Sequence, residues 1–308
     1  MGGEEFQHPF RVIRGAEPQK VIIGEDILCK RLGGKIQFPE PKPSVLEVEE
    51  KEDHNLPNGV ESDFLDELKD MYKHDEGGAA RVEPLRIALK GNADVDKIRA
   101  KPYRNYPSKE MAEVMSGMIG RKELEAKQGP ICSPAFLVPK GNGRSRFVVD
   151  YGRVNTMTVG EGYPMPRIGD AIQGLGGSNW FTGFDLKNAF FALPVDNETG
   201  KISSIVTDKG RFLPKRLMMG LKQSSQLFQA TMDNHFGDIK GLVCYVDDVA
   251  IANQSKEEHV EACKEFVSRC TRLNMPINWN KSSGLKNQID FCGYTISGQD
   301  INARKHMQ

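Results

Sequence analysis

The sequence predicts an α+β fold, with an antiparallel sheet packed on helices. Three observations carry that prediction. Strand-like apolar runs and helical periods interleave along residues 82–300 without the even strand–helix–strand rhythm of a parallel sheet. The run Gly241-Leu-Val-Cys-Tyr-Val-Asp-Asp-Val-Ala-Ile-Ala252 reads as strand, turn and strand. Residues 256–273 keep a helical period with Glu258, Glu261, Lys264 and Arg269 outward, as a helix covering a sheet would.

Taken in order, residues 6–39 alternate apolar groups (Phe10, Val21-Ile-Ile, Ile27-Leu, Lys35-Ile-Gln-Phe38), which predicts short strands and a β-rich N-terminal segment over 1–40. Pro39, Pro41 and Pro43 then lead into the acidic run Glu47-Val-Glu-Glu-Lys-Glu-Asp53. So charged a stretch buries too little apolar surface to order itself, so residues 41–81 are expected to be a largely disordered linker. Within it, Phe64, Leu65, Leu68 and Tyr72 share one face of a possible short helix over 63–73. The globular part is expected over 82–308. A helix is predicted from Ser108, which stands as its N-cap, to Gly120. Strands are predicted over 135–138, 146–150 and 181–185, a helix over 224–235, a hairpin over 242–251, and a last strand over 291–297.

Composition bounds the function. No stretch of about 20 apolar residues crosses a membrane, and no basic-then-apolar leader opens the chain. The six cysteines show no metal spacing and are expected to be reduced thiols in an intracellular, cytoplasmic protein. The net charge of zero hides an asymmetry. Residues 1–80 hold 18 acidic against 10 basic residues, leaving 24 acidic and 32 basic in the rest. A basic body suits a polyanionic partner, although a solvated surface of mixed charge accounts for it equally.

The chemistry centres on Asp247-Asp248. Asp-Asp is not a favoured tight-turn pair, and adjacent carboxylates raise each other's pKa unless a cation sits between them. Mg²⁺ prefers carboxylate oxygens and takes further ligands from substrate phosphates. An acidic surface turn is the competing reading of this segment alone. Asp185, at the end of Trp180-Phe-Thr-Gly-Phe-Asp185, adds a third carboxylate on a second strand. Two metal ions about 3.5–4 Å apart need carboxylates from neighbouring strands.

Four further segments carry a resemblance: Ser133-Pro-Ala-Phe-Leu-Val-Pro-Lys-Gly-Asn-Gly-Arg-Ser-Arg-Phe-Val-Val-Asp-Tyr-Gly-Arg-Val-Asn155, Asp185-Leu-Lys-Asn-Ala-Phe-Phe191, Leu217-Met-Met-Gly-Leu-Lys-Gln-Ser-Ser-Gln-Leu-Phe-Gln229 and Ile289-Asp-Phe-Cys-Gly-Tyr-Thr-Ile-Ser297. With Tyr245-Val-Asp-Asp248 they resemble, in order and spacing, the reverse transcriptases of gypsy-type LTR retrotransposons, over residues 84–300. The resemblance implies a right-hand polymerase with fingers and palm. It implies RNA-directed DNA polymerase activity by two-metal nucleotidyl transfer, with dNTPs, an RNA or DNA template with primer, and two Mg²⁺ ions for which Mn²⁺ can substitute. By that resemblance Asp185, Asp247 and Asp248 are catalytic. Asp185, Asp247 and the Leu186 carbonyl hold metal, with Asp248 in a supporting role. Lys281 protonates the leaving pyrophosphate. Lys140, Arg146, Phe190 and Met219 contact the nucleotide, Phe190 as the gate against a 2′-hydroxyl. Tyr245, Gly293 and Tyr294 lie along the primer end. Met219, Ser225 and Pro139 depart from the family's usual residues, so a catalytically weak or inactive polyprotein fragment that binds nucleic acid is the alternative. Lys20–Phe38 resembles the closing segment of a retroelement aspartic protease. No Asp-Ser-Gly or Asp-Thr-Gly occurs in the chain, so proteolytic activity is not expected. The thumb and RNase H regions of the family are expected to be absent.

Overall fold

The structure, a computed structural model, describes residues 58–94, 101–103, 107–139, 145–160 and 162–303. The strands and protease-like segment expected over 1–40, and Lys140, lie outside the described residues.

Helix α1 spans Asn58–Met71 and α2 spans Ser108–Gly120. Strands β1 (Leu124–Ala126), β2 (Ser133–Pro139), β3 (Ser145–Val149), β4 (Trp180–Asp185), β5 (Ile205–Thr207) and β6 (Gly210–Pro214) follow. Then come α3 (Ser224–Phe236), β7 (Leu242–Tyr245), β8 (Asp248–Asn253) and α4 (Lys256–Leu273). β9 (Ser283–Lys286), β10 (Gln288–Phe291), β11 (Tyr294–Ser297) and β12 (Ile301–Ala303) complete the order.

A four-stranded sheet, ordered β7-β8-β4-β9, carries the candidate site and is antiparallel throughout. Strand β8 explains its own sequence. Val249 and Ile251 enter the main core, whereas Ala250 and Ala252 enter a second apolar cluster with Phe181, Ile289, Phe291 and Ile296. Alternate side chains point to opposite faces, so a strand buried on both reads as one continuous apolar run. Helix α4 covers the main-core face, where Phe266 is fully buried against Phe184 and Phe236, with ring centroids 4.7 and 5.1 Å apart. Burying each such ring stabilises by roughly 1.5–3 kcal/mol. Ser255 caps α4, accepting from the Glu258 N–H at 3.2 Å, and Asn274 ends it at φ 54°.

A second sheet, ordered β1-β6-β5-β2-β3, is mixed, because β2 and β5 run parallel. The antiparallel expectation therefore holds for the site-bearing sheet but not for this one. Strands β10, β11 and β12 form a third sheet.

Three local expectations are corrected. Pro107, not Ser108, is the N-cap of α2, and the Ser108 hydroxyl is engaged by Asp208 and Lys209 instead. The single strand expected over 291–297 is a hairpin, because Cys292 and Gly293 both take positive φ (48° and 83°) and turn the chain between β10 and β11. The linker expected up to residue 81 already belongs to the folded body from residue 58. Helix α1 buries Phe64 and Leu68 in the main core, and Glu67 pairs with Lys264 of α4 at 2.7 Å. The apolar stripe expected over 63–73 is thus the buried face of a longer helix, whose docking on the main core the segment's acidic composition concealed.

No described helix is long and apolar enough to cross a membrane.

Candidate active site

Strands β4 and β8 pair with Asp185 directly opposite Asp248. Side chains of residues so paired project from the same face, about 4.5–5.5 Å apart at Cβ. The two carboxylates are thus brought together by sheet register, although they stand 63 positions apart in the chain. Asp247 sits beside them in the turn from β7 to β8. Tyr245 pairs with Asp248, so Val246 and Asp247 form a two-residue loop. Val246 stands at φ 56°, a left-handed conformation that a β-branched residue rarely adopts. Such strain costs about 1–3 kcal/mol and persists only when surroundings enforce it.

Gln229 of α3 enforces it. This fully buried side chain accepts the Val246 N–H at 2.8 Å and donates to the Cys244 carbonyl at 3.0 Å and to Asp233 at 2.9 Å. Sequence reading did not assign Gln229 a role. Its only signal was an amide on the apolar face of a helix.

Burial raises the Asp248 carboxyl above its ordinary pKa, and the negative charges of Asp247 and then Asp185 raise it further. A weak bond from the Cys292 thiol, 3.7 Å from Asp248 Oδ2, acts in the opposite direction. Asp185 is held differently. Asn278 Nδ2 donates to its Oδ1 at 2.8 Å, and Lys281 Nζ stands 3.9 Å from its Oδ2. Asn278 is the second residue that sequence reading passed over.

Asp185, Asp248 and Lys281 line a cleft of about 420 Å³ whose far wall is Gln288, Asp290 and Thr295 of β10 and β11. Among the other predicted residues, Leu186, Phe190, Arg146, Met219, Tyr245, Gly293 and Tyr294 do not line it. Phe190 lies in the short helix Ala189–Ala192, half-buried, its ring 5.1 Å from that of Phe228. Leu186 is buried and bridges to Ile277, and the flanking bonds run from Asn278 N–H to the Asp185 carbonyl and from Lys187 N–H to the Pro276 carbonyl. Neither uses the Leu186 carbonyl. Arg146 is exposed on β3 opposite Val138, and Met219 is 41% exposed after β6. Tyr245 and Tyr294 pack against the second apolar cluster, with Gly293 at the β10–β11 turn.

Among the described residues no group of three or more His, Cys, Asp and Glu side chains is gathered tightly enough to hold a metal by itself. The donor set nevertheless suits a hard divalent cation. Two cross-strand carboxylates that repel each other present oxygen ligands, and Mg²⁺ is commonly held by one or two carboxylates plus substrate phosphates.

A carboxylate-bearing antiparallel sheet backed by two helices defines a polymerase palm, and solved structures share the fold. The foamy viral protease-reverse transcriptase in complex with dsDNA superposes with a TM-score of 0.71 at 20% identity, over 82% of this chain and 54% of that one. The Prototype Foamy Virus Protease-Reverse Transcriptase CSH mutant gives 0.69 at 22% identity, over 78% of this chain and 33% of that one. The chain belongs to the reverse transcriptase (RNA-dependent DNA polymerase) family, which matches residues 138–296. Its relatives include the Retrovirus-related Pol polyproteins from the Drosophila melanogaster transposons opus and gypsy. They are 27% and 24% identical over 92% and 95% of this chain, and 29% and 31% of each polyprotein. The Enzymatic polyprotein of Cauliflower mosaic virus (strain NY8153) is 26% identical over 69% of this chain and 32% of that protein. The chain thus spans about a third of the length of these relatives.

Proposed function

We propose that this chain performs template-directed DNA synthesis, adding deoxynucleotides to a primer end, as the reverse transcriptase part of a gypsy-type retroelement polyprotein. The observation that carries the reading is the β4–β8 register, which sets Asp185 against Asp248 beside Asp247 in a family-matched palm. Bound Mg²⁺ or Mn²⁺ would lower the pKa of the attacking 3′-hydroxyl and neutralise charge on the leaving pyrophosphate. Asp185 and Asp247 are the proposed ligands, assisted by the Leu186 carbonyl, with Asp248 supporting.

The chain's own groups do the rest. Arg146 and Lys140 hold the triphosphate, Arg with a planar fork that suits phosphate oxygens and Lys as a point charge. Phe190 closes the space beneath the sugar, where a 2′-hydroxyl would clash, and Met219 packs near the base. Lys281 stands on the cleft wall, 69% exposed and so able to move, and gives a proton to the leaving group. Tyr245, Gly293 and Tyr294 are the proposed contacts to the primer terminus. The partners follow: dNTPs and an RNA or DNA template with its primer. The N-terminal segment is proposed to derive from the end of a protease, since similarity to opus and gypsy runs well beyond the polymerase region.

The test is dNTP incorporation on primed poly(rA) with Mg²⁺. Wild-type chain is expected to extend the primer and Asp247→Asn to lose at least about a hundredfold, as removal of a transition-state charge partner does. Equal extension by both overturns the proposal.

A further inference from the structure

We propose that Asn278 is a positioning residue for Asp185, dividing the two carboxylate oxygens between a structural and a reactive task. The inference rests on the polymerase reading above for what the site does, but its geometry stands alone. Asn278 grips Asp185 twice. Its backbone N–H donates to the Asp185 carbonyl at 2.8 Å, and its side-chain amide donates to Asp185 Oδ1 at 2.8 Å. A carboxylate at a strand end turns readily, because its terminal torsion has broad wells. A second anchor on the same partner removes that freedom.

The two oxygens meet different company. Oδ1 has a neutral donor at hydrogen-bond distance. Among the described residues Oδ2 has only Lys281 Nζ at 3.9 Å, on a side chain 69% exposed. An amide orients a carboxylate without cancelling its charge, so the attraction for a cation is kept whole. A solvated ammonium beyond hydrogen-bond reach is easily displaced. Oδ2 is therefore the oxygen left open for a metal ion, and Oδ1 is the one held still.

Asn278 is itself braced. Its carbonyl accepts from the Lys281 and Ser282 N–H groups at 3.0 and 3.1 Å and from the Ser282 hydroxyl at 3.0 Å. On the preceding side, the Tyr72 hydroxyl accepts the Ile277 N–H at 3.0 Å and donates to the Met275 carbonyl at 2.8 Å. Tyr72 follows α1 and lies outside the stretch that matches the polymerase family. A hydrogen-bonded path thus runs from residue 72 through 275–278 to the metal-facing carboxylate.

The experiment uses Mn²⁺ as probe, with free ion counted by electron paramagnetic resonance on the whole chain, beside primer extension across a Mg²⁺ series. Asn278→Ala is expected to weaken Mn²⁺ binding about 10- to 100-fold, the usual cost of losing a group that orients a metal ligand. The Mg²⁺ concentration for half-maximal extension should rise in step, KM for dNTP should hold, and kcat should recover at high Mn²⁺. Asn278→Ser, which keeps the backbone pairing but shortens the donor, carries the same expectation if the alanine variant does not fold. Tyr72→Phe, which keeps the ring, should shift binding in the same direction by less. Unchanged Mn²⁺ affinity with a lowered melting temperature in Asn278→Ala or Asn278→Ser overturns the proposal. Weakened Mn²⁺ binding in a chain that never extends a primer sinks the polymerase reading and leaves the role of Asn278 standing.

Discussion

His259 should make this fold acid-sensitive. It is fully buried where α4 crosses the site-bearing sheet, and burial lowers its pKa to about 4. Its hydrogen-bond partners Asn253 and Thr182 fit the neutral ring, and the Cys263 thiol lies 3.7 Å from Nε2. Asn253 donates through Nδ2 to the Lys240 carbonyl at 3.2 Å, so its Oδ1 accepts from His259 Nδ1 at 3.0 Å. His259 Nε2 then accepts the Thr182 hydroxyl at 2.7 Å, and Thr182 Oγ1 accepts the Leu285 N–H at 3.2 Å. Thr182 is in β4 and Leu285 in β9, so the ring ties together the strands behind Asp185. A second proton on Nε2 would displace the Thr182 hydroxyl hydrogen from the ring, with the Cys263 thiol as its remaining neighbour.

The sign follows from proton counting. The folded state binds fewer protons than the unfolded one, so stability is complete above the unfolded value of about 6.5 and falls as pH drops toward the folded value of about 4. The loss is about 2 kcal/mol at a pH of about 5 and about 3 kcal/mol below the folded value. For a domain of this size that lowers the melting temperature by roughly 4–8 °C at a pH of about 5. Thermal unfolding followed by circular dichroism at neutral and mildly acidic pH, in wild type and His259→Gln, measures it. Surface carboxylates titrate alike in both proteins, so the difference of differences isolates His259. An equal acid-induced drop in the two would refute the argument.

Two other expectations concern the supports of the site. Gln229→Leu strips the Val246 N–H of its buried partner and should cost about 1–3 kcal/mol in stability. Primer extension should fall further than stability does, by roughly tenfold or more, because the turn that carries Asp247 loses its enforcement; retention of full kcat by the variant would show the turn holds itself. Leu68→Ala empties a fully buried position in α1 and should cost about 2–5 kcal/mol by denaturant unfolding. A change near zero would mean that α1 does not belong to the cooperative unit.

Much of this architecture was legible in the residue string, for physical reasons. The long amphipathic helix, the hairpin and the helix over 224–236 announced themselves because local period and burial agree there. Asp185 and the Asp247-Asp248 pair stood out because charges at the ends of apolar runs are costly without a purpose. Other features were not legible. That α1 docks on the main core was hidden by its acidic surroundings, although its apolar stripe over 63–73 was readable. The parallel β2–β5 pair depends on a contact between residues some 70 positions apart, and local pattern says nothing about strand direction.

Residue types and their order, then, carried the proposed chemistry: carboxylates suited to a hard cation and, by the family resemblance, cations for phosphate and an aromatic ring beside the strand end. Only the tertiary structure decided which groups hold those carboxylates in place. Gln229 reaches Val246 from another helix, and Asn278 reaches Asp185 across 93 positions. A buried amide looks the same in sequence whether it satisfies its own helix or a distant turn. Sheet register and helix packing assign its partner, and those arise from the whole core rather than from any segment of it.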